Sequence, residues 1–244
     1  LKSDDRPLDL VVHDARKTVK KLRALLRLVH GKLAGSSKRM RDLRDAAALV
    51  APLRDSDTRL ATFDRLAARA KLPAASLTAL RAPFETAHSA AHDVAAIGQA
   101  VSGYSEIIRD LRSRAQDWTL PRRGFSVFAP GIERAWHKAR AALVAAQGAD
   151  DPEAHHLLRK RIKDIWYQTR LFAPLAPDNF RNDLERTDNL GEILGNLHDI
   201  DVLIAALPDS TGGKELDAAA QAERSTLAAS AVVLARDLMA EDVP

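Results

Sequence analysis

Two stretches of the chain place the same cations at the same spacing. His13-Asp14-Ala15-Arg16-Lys17-Thr18-Val19-Lys20 and His156-Leu157-Leu158-Arg159-Lys160-Arg161-Ile162-Lys163 share the pattern His-x-x-Arg-Lys-x-x-Lys at an offset of 143 residues. Lys supplies a mobile point charge, Arg a planar fork that grips two phosphate oxygens, and His a donor whose charge grows below about pH 6.5. All three suit phosphate. At 100° per residue, His13, Arg16, Lys17, Lys20, Arg23 and Arg27 fall within about 120° of one helix face. Val11, Ala15, Val19, Leu22, Leu25, Leu26 and Val29 take the other side, the face expected to enter a core. The second stretch repeats the division, with His156, Arg159, Lys160, Lys163 and Arg170 opposite Leu158, Ile162, Ile165, Thr169 and Phe172.

A solvated helix face usually mixes acids with bases four residues apart, because like charges there repel. These two stripes contain no acid, and Asp14 and Asp164 lie to the side. Self-repulsion kept along about four helical turns, twice, points to a face reserved for an anion. A stripe climbing about 5.4 Å per turn offers a row of cations to a polymer and no closed pocket to a small molecule.

The elements that must carry these rows are helices. Gly and Pro number 11 each in 244 residues, Ala, Leu, Arg and Asp dominate, and 46% hydrophobic residues suffice for a core, so an all-α fold is expected. Helical periodicity predicts Leu8 to His30, Lys38 to Ala51, Asp57 to Lys71, Ala74 to Ala100 and Glu106 to Ala115. It resumes over Gly131 to Ala146, Pro152 to Ala173, Pro177 to Asn196, Asp199 to Ala206 and Lys214 to Ala240. Pro152 suits a first helical turn, where a missing amide proton costs nothing. Between the two sets, residues 117–130 gather proline, glycine and aromatics and read as a connector. A second matching pair, Leu53-Arg54-Asp55-Ser56-Asp57 and Leu197-His198-Asp199-Ile200-Asp201, stands at an offset of 144. Two pairs in one order give two homologous halves, residues 1–115 and 131–244, joined by 116–130.

On these residues the chain resembles the conserved histidine α-helical domain family, CHAD, over almost its whole length. The residues that carry the likeness are His13, Arg16, Lys20, Lys21 and Arg23 with Arg54-Asp55-Ser56-Asp57, then His156, Arg159 and Lys163 with His198-Asp199-Ile200-Asp201. The resemblance implies two pseudo-symmetric antiparallel helical bundles facing a basic central cleft. It also implies non-catalytic binding of inorganic polyphosphate and association with polyphosphate granules. Asp164 and Trp166 depart from the pattern, standing where the first half has Lys21 and Arg23, so the second stripe is expected to bind more weakly, with Trp166 and Tyr167 packing or hydrogen bonding.

Other chemistry finds little support. There are no cysteines, which removes disulfides, thiolate metal sites and cysteine nucleophiles. Leu197-His198-Asp199 invites comparison with metal-dependent phosphohydrolases, but its counterpart Arg54 cannot ligate a metal, whereas Arg54 and His198 can both meet phosphate. Asp55, Asp57, Asp199 and Asp201 are expected at helix boundaries, capping amides or orienting a cation. His155 is expected in the core. His88 and His92 stand four apart without an evident third ligand, so no metal and no cofactor are expected. Lys38, Arg39, Arg41 and Arg44, interrupted by Asp42 and Asp45, form at most a rim, to which Arg122 and Arg123 would add.

No catalytic triad, glycine-rich phosphate loop or dense carboxylate cluster is present, so no enzyme activity is expected. Neither a signal-peptide pattern nor a membrane-spanning run occurs, and the expectation is a cytoplasmic protein. The net charge of +4 is mild, which makes the placement of cations the informative quantity. The alternatives are a nucleic-acid binder, disfavoured by 5% aromatics and none in the first stripe, and an accessory to an enzyme that processes polyphosphate or triphosphate.

Overall fold

The fold, taken from a computed structural model, describes residues 8–70, 72–121, 124–148, 150–175 and 177–240. The Ala- and Leu-rich composition does what helix propensity dictates. Among the described residues there are nine α-helices, a 3-10 turn at Phe125–Val127 and no strand, so the chain is all-α. The helices are α1 (Leu8–Leu28), α2 (Ser36–Leu49), α3 (Ala51–Ala67), α4 (Ala74–Ala91), α5 (Val94–Ala115), α6 (Ala129–Gly148), α7 (Pro152–Phe172), α8 (Pro177–Ile204) and α9 (Thr211–Met239). No described helix is long and apolar enough to cross a membrane.

Several boundaries differ from the periodicity, and the break expected over residues 101–105 does not occur, because α5 runs from Val94 to Ala115. α3 starts at Ala51, six residues before the expected Asp57, so the Arg54-Asp55-Ser56-Asp57 motif lies inside a helix. α8 runs unbroken through residues 197–198, because Leu197, Ile200 and Leu203 are fully buried and continue its core face at a spacing of three. Asp199 and Asp201 are therefore interior to α8 and cap nothing at a helix start. The expected helix over residues 74–100 is instead divided at Asp93, whose carboxylate accepts from the Ala95 and Ala96 amides and starts α5. Pro152 does occupy the first turn of α7, with Asp151 capping the Glu153 amide. Lys71, Arg122 and Arg123 lie outside the described residues.

The chain divides into two compact units whose borders fall inside α3, α4 and α6: Leu1–Asp57 with Thr86–Gly131, and Thr58–Glu85 with Ile132–Pro244. In the first, α1 packs on α2 and α2 on α5, and Tyr104 of α5 donates from its buried hydroxyl to the Ala15 carbonyl at 3.1 Å. Apolar residues Val11, Val12, Val19, Leu26, Leu43, Ala46, Leu53 and Leu111 fill its interior. In the second, Phe63, Leu66, Leu80 and Phe84 pack against Ile200, Leu203, Leu216 and Ala220. Its α7 face is the expected one: Leu158, Ile162, Ile165, Thr169 and Phe172 are all buried. His155 is buried too.

Candidate functional site

α1 carries the first row of cations as a helix face that the core leaves outside. His13, Lys20 and Lys21 are exposed, and Arg16, Lys17, Arg23 and Arg27 are half-buried, while Val11, Val12 and Val19 are shut away behind them. The row is shorter than its periodicity implies. Ala24 projects about 20° from His13, inside the charged sector, and Leu28 about 60°, just past its edge at Lys17, yet both are fully buried. The start of α6 explains this for Leu28: Gly131 sits so close that a Cβ added there would lie 2.2 Å from the Leu28 carbonyl oxygen. Leu25, expected in the core, is correspondingly pushed out to 36% exposure. The exposed part of the row therefore runs from His13 to Lys21.

Arg16 is not a bare member of that row. Its guanidinium donates to the Val50 and Ala51 carbonyls at 3.4 and 3.3 Å and to Asp55 Oδ1 at 3.3 Å. It thereby ties α1 to the junction of α2 and α3, a structural task that the sequence did not signal. The expectation of cations without counter-charges is corrected here: the acid comes from a neighbouring helix. Exposed Arg54 precedes Asp55 on α3. The neighbouring basic cluster is partly neutralised, because Asp42 takes both Lys38 at 3.0 Å and Arg114 at 3.2 Å, and Arg39 covers the Trp118 ring.

In the second unit α7 and α8 run antiparallel, shown by three successive pairings. His156 stacks on His198, Arg159 lies over Gly195 and Lys163 lies over Gly191. The two glycines, one turn apart on α8, leave room for the long cationic side chains of α7: a Cβ at Gly191 would lie 2.7 Å from Lys163 Cε and Nζ. This Gly-x-x-x-Gly spacing was readable in the sequence as a small-residue helix face but was not singled out. Lys163 also meets Asp188 at 3.5 Å, again an acid from the adjacent helix. Burial lowers its ammonium pKa against the pull of Asp188. Lys163 and Arg170 both lie over Trp166, 4.7 and 5.1 Å from the ring centroid, and Trp166 packs edge-on against Tyr167. Lys160 and Arg170 are exposed, and His156, Arg159, Lys163 and His198 are half-buried. Asp164, at the place matched to Lys21, is buried beside Arg161.

The stacked imidazoles are held neutral. Burial, with His198, Lys160 and Arg159 close by, lowers His156 to about 4. Burial and the same two cations lower His198 to about 4. Neither ring supplies positive charge near neutral pH unless an anion lifts it.

Three aspartates of the paired motifs bind side chains of other segments from within helices. Asp55 meets Arg16, and Asp57 meets His88 and His92 at 3.2 and 3.1 Å. Asp201 accepts from Arg224 Nε at 2.6 Å in a nearly dry pair. Arg224, on α9, also donates to Asp150, and these acids outweigh the effect of burial to raise its pKa. It was invisible to motif reading because it belongs to no repeat. The third partner of His88 and His92, Asp57, belongs to the repeat and was missed for another reason: it lies on another helix.

Compared with known families, residues 4–208 match the sequence model described as "CHAD domain". No curated protein matches the chain.

Proposed function

The chain belongs to the CHAD domain family, and from that premise we propose that it binds inorganic polyphosphate noncovalently, without turnover, along the cationic faces of α1 and α7. The observation that carries this reading is the outward row of His13, Lys17, Lys20 and Lys21 on a helix whose opposite side is anchored in the core. Such a row suits a chain of repeating charges better than a single small anion. Arg54, Arg159, Lys160, Lys163 and Arg170 extend the cationic surface available on their own helices, and Arg23 and Arg27 add charge at half-buried positions. Arg16 acts chiefly by holding α2 and α3. His156 and His198 gain charge only as an anion arrives. Residence on polyphosphate granules in the cytoplasm would follow from such binding.

The test is a competition at physiological salt between long-chain polyphosphate and duplex or single-stranded DNA for the full chain, with orthophosphate release followed in parallel after adding a divalent metal. Polyphosphate displacing DNA, with no sustained phosphate release, is the expected result. Tighter binding of DNA would replace this reading with a nucleic-acid one, and sustained turnover would replace it with an enzyme.

A further inference from the structure

We propose that Asp57, His88 and His92 form a binding site for a first-row divalent transition ion of the zinc class. The site does not depend on the polyphosphate reading. Its three donor atoms lie within 4.8 Å of one another. They come from the interior of α3, the last turn of α4 and the residue pair that separates α4 from α5. Asp57 Oδ1 stands 3.2 Å from His88 Nε2 and 3.1 Å from His92 Nε2. With metal–ligand bonds of about 2.0–2.2 Å, neighbouring donors around a tetrahedral ion lie about 3.3–3.5 Å apart, so only a small opening of the triad admits the ion.

The hydrogen bonding at His92 gives the second observation. Its Nδ1 lies 2.9 Å from the His88 carbonyl oxygen, which can only accept, so the ring carries a proton on Nδ1. In the neutral ring Nε2 is then a lone pair aimed at a carboxylate oxygen 3.1 Å away. Two acceptors so placed require something positive between them, either a second proton or a metal ion. An Nδ1 proton held by a backbone carbonyl is also the arrangement that fixes a metal-binding imidazole in orientation and tautomer. The His88 ring stacks on it at 4.1 Å and 18°, so the two rings are held nearly parallel beside Asp57.

The frame is stiff where it must be. Asp93, next to His92, is bound to the Ala95 and Ala96 amides, and the His92 amide closes the last turn of α4 on the His88 carbonyl at 3.0 Å. Each ligand side chain is about one-third exposed, which leaves the remaining coordination positions to water. Two imidazoles, one carboxylate and open positions suit zinc, cobalt or nickel, and suit calcium or magnesium poorly because those ions take oxygen ligands. At the matching place in the second half, Asp201 holds the permanent cation of Arg224, where no metal is called for.

The experiment uses the full chain without a histidine tag, stripped with chelator and titrated with zinc by calorimetry and with cobalt by visible absorption. One equivalent should bind with micromolar or tighter affinity, and cobalt should show the bands of a four- or five-coordinate ion. His88→Ala and the near-isosteric His92→Gln and Asp57→Asn should each weaken binding at least tenfold, and His88→Ala/His92→Gln should abolish it. His137→Ala, at an exposed histidine of α6, should leave it unchanged. Circular dichroism checks that each variant stays helical, and Asp57→Asn covers the case in which losing a ring disturbs the α4 end. Absence of saturable binding to the wild-type chain would reduce the triad to a protonated ion pair and overturn the proposal. Undiminished binding by a folded double variant would do the same.

Discussion

The imidazole of His156 stacks on that of His198 with ring centroids 4.0 Å apart, and burial with nearby cations holds both at about 4. Both lie below the ordinary value near 6.5, so between these limits the unfolded chain binds more protons than the folded one. Stability from this pair is complete above about pH 6.5 and is lost as pH falls through about 4. Urea midpoints should decline over that window in the wild type and decline less in His156→Leu/His198→Leu. Bound polyphosphate should raise both titrations, visible as shifted ring resonances by NMR. Midpoints independent of pH, or titrations unmoved by the anion, would refute the assignment.

Lys17 and Arg16 are neighbours with different tasks, and mutation should separate them. Lys17→Ala/Lys21→Ala should lower polyphosphate affinity and flatten its dependence on log salt by about 0.7 per lost contact, with stability changed by no more than about 0.5 kcal/mol. Arg16→Ala should instead destabilise by about 1–2 kcal/mol, because the Val50 and Ala51 carbonyls and Asp55 lose their donor. Titration calorimetry across salt, with urea melts, reads both. Equal loss of stability in the two variants would mean that the lysines also hold the fold.

Two glycines should respond to alanine in opposite ways. At Gly131 the new Cβ meets the backbone of Leu28, which cannot yield, so Gly131→Ala should cost about 1–3 kcal/mol. At Gly191 it meets the end of the Lys163 side chain, which can swing away. Gly191→Ala should keep stability within about 1 kcal/mol, since alanine favours the helix, while weakening polyanion binding by displacing Lys163. A large loss of stability at Gly191 would show that the Lys163 stem is fixed.

Arg224→Met should be the most damaging of these changes. It leaves Asp201, a side chain only 7% exposed, without its guanidinium, at a cost of about 3–5 kcal/mol. Replacing both groups, as in Arg224→Met/Asp201→Leu, should recover much of that loss. A single variant with unchanged thermal stability would mean that water reaches the acid.

Nearly all helices were legible from the spacing of apolar residues, since α7 buries each residue assigned to its core face. The breaks were less legible. Asp55, Asp57, Asp199 and Asp201 look like caps locally, but all lie inside helices, where Asp55, Asp57 and Asp201 meet partners from other segments and the buried Leu197-Ile200-Leu203 spacing carries α8 past Asp199 and Asp201. The cations of the candidate site were readable as residue types, whereas their counter-charges were not, because Asp55 and Asp188 meet Arg16 and Lys163 only after folding. The same holds for Asp57 beside His88 and His92: a metal-like triad assembled from α3, the end of α4 and the turn after it leaves no compact spacing to read.

Burial of Ala24 and Leu28 sets the reach of α1. From His13 to Lys21 the helix rises about 12 Å. An oligomer long enough to cover that distance has met every fully exposed charge of this row, and further repeats mainly provide landing places for additional protein molecules. Lengthening the polymer should therefore change how many copies a strand recruits, leaving the grip of each α1 face nearly constant.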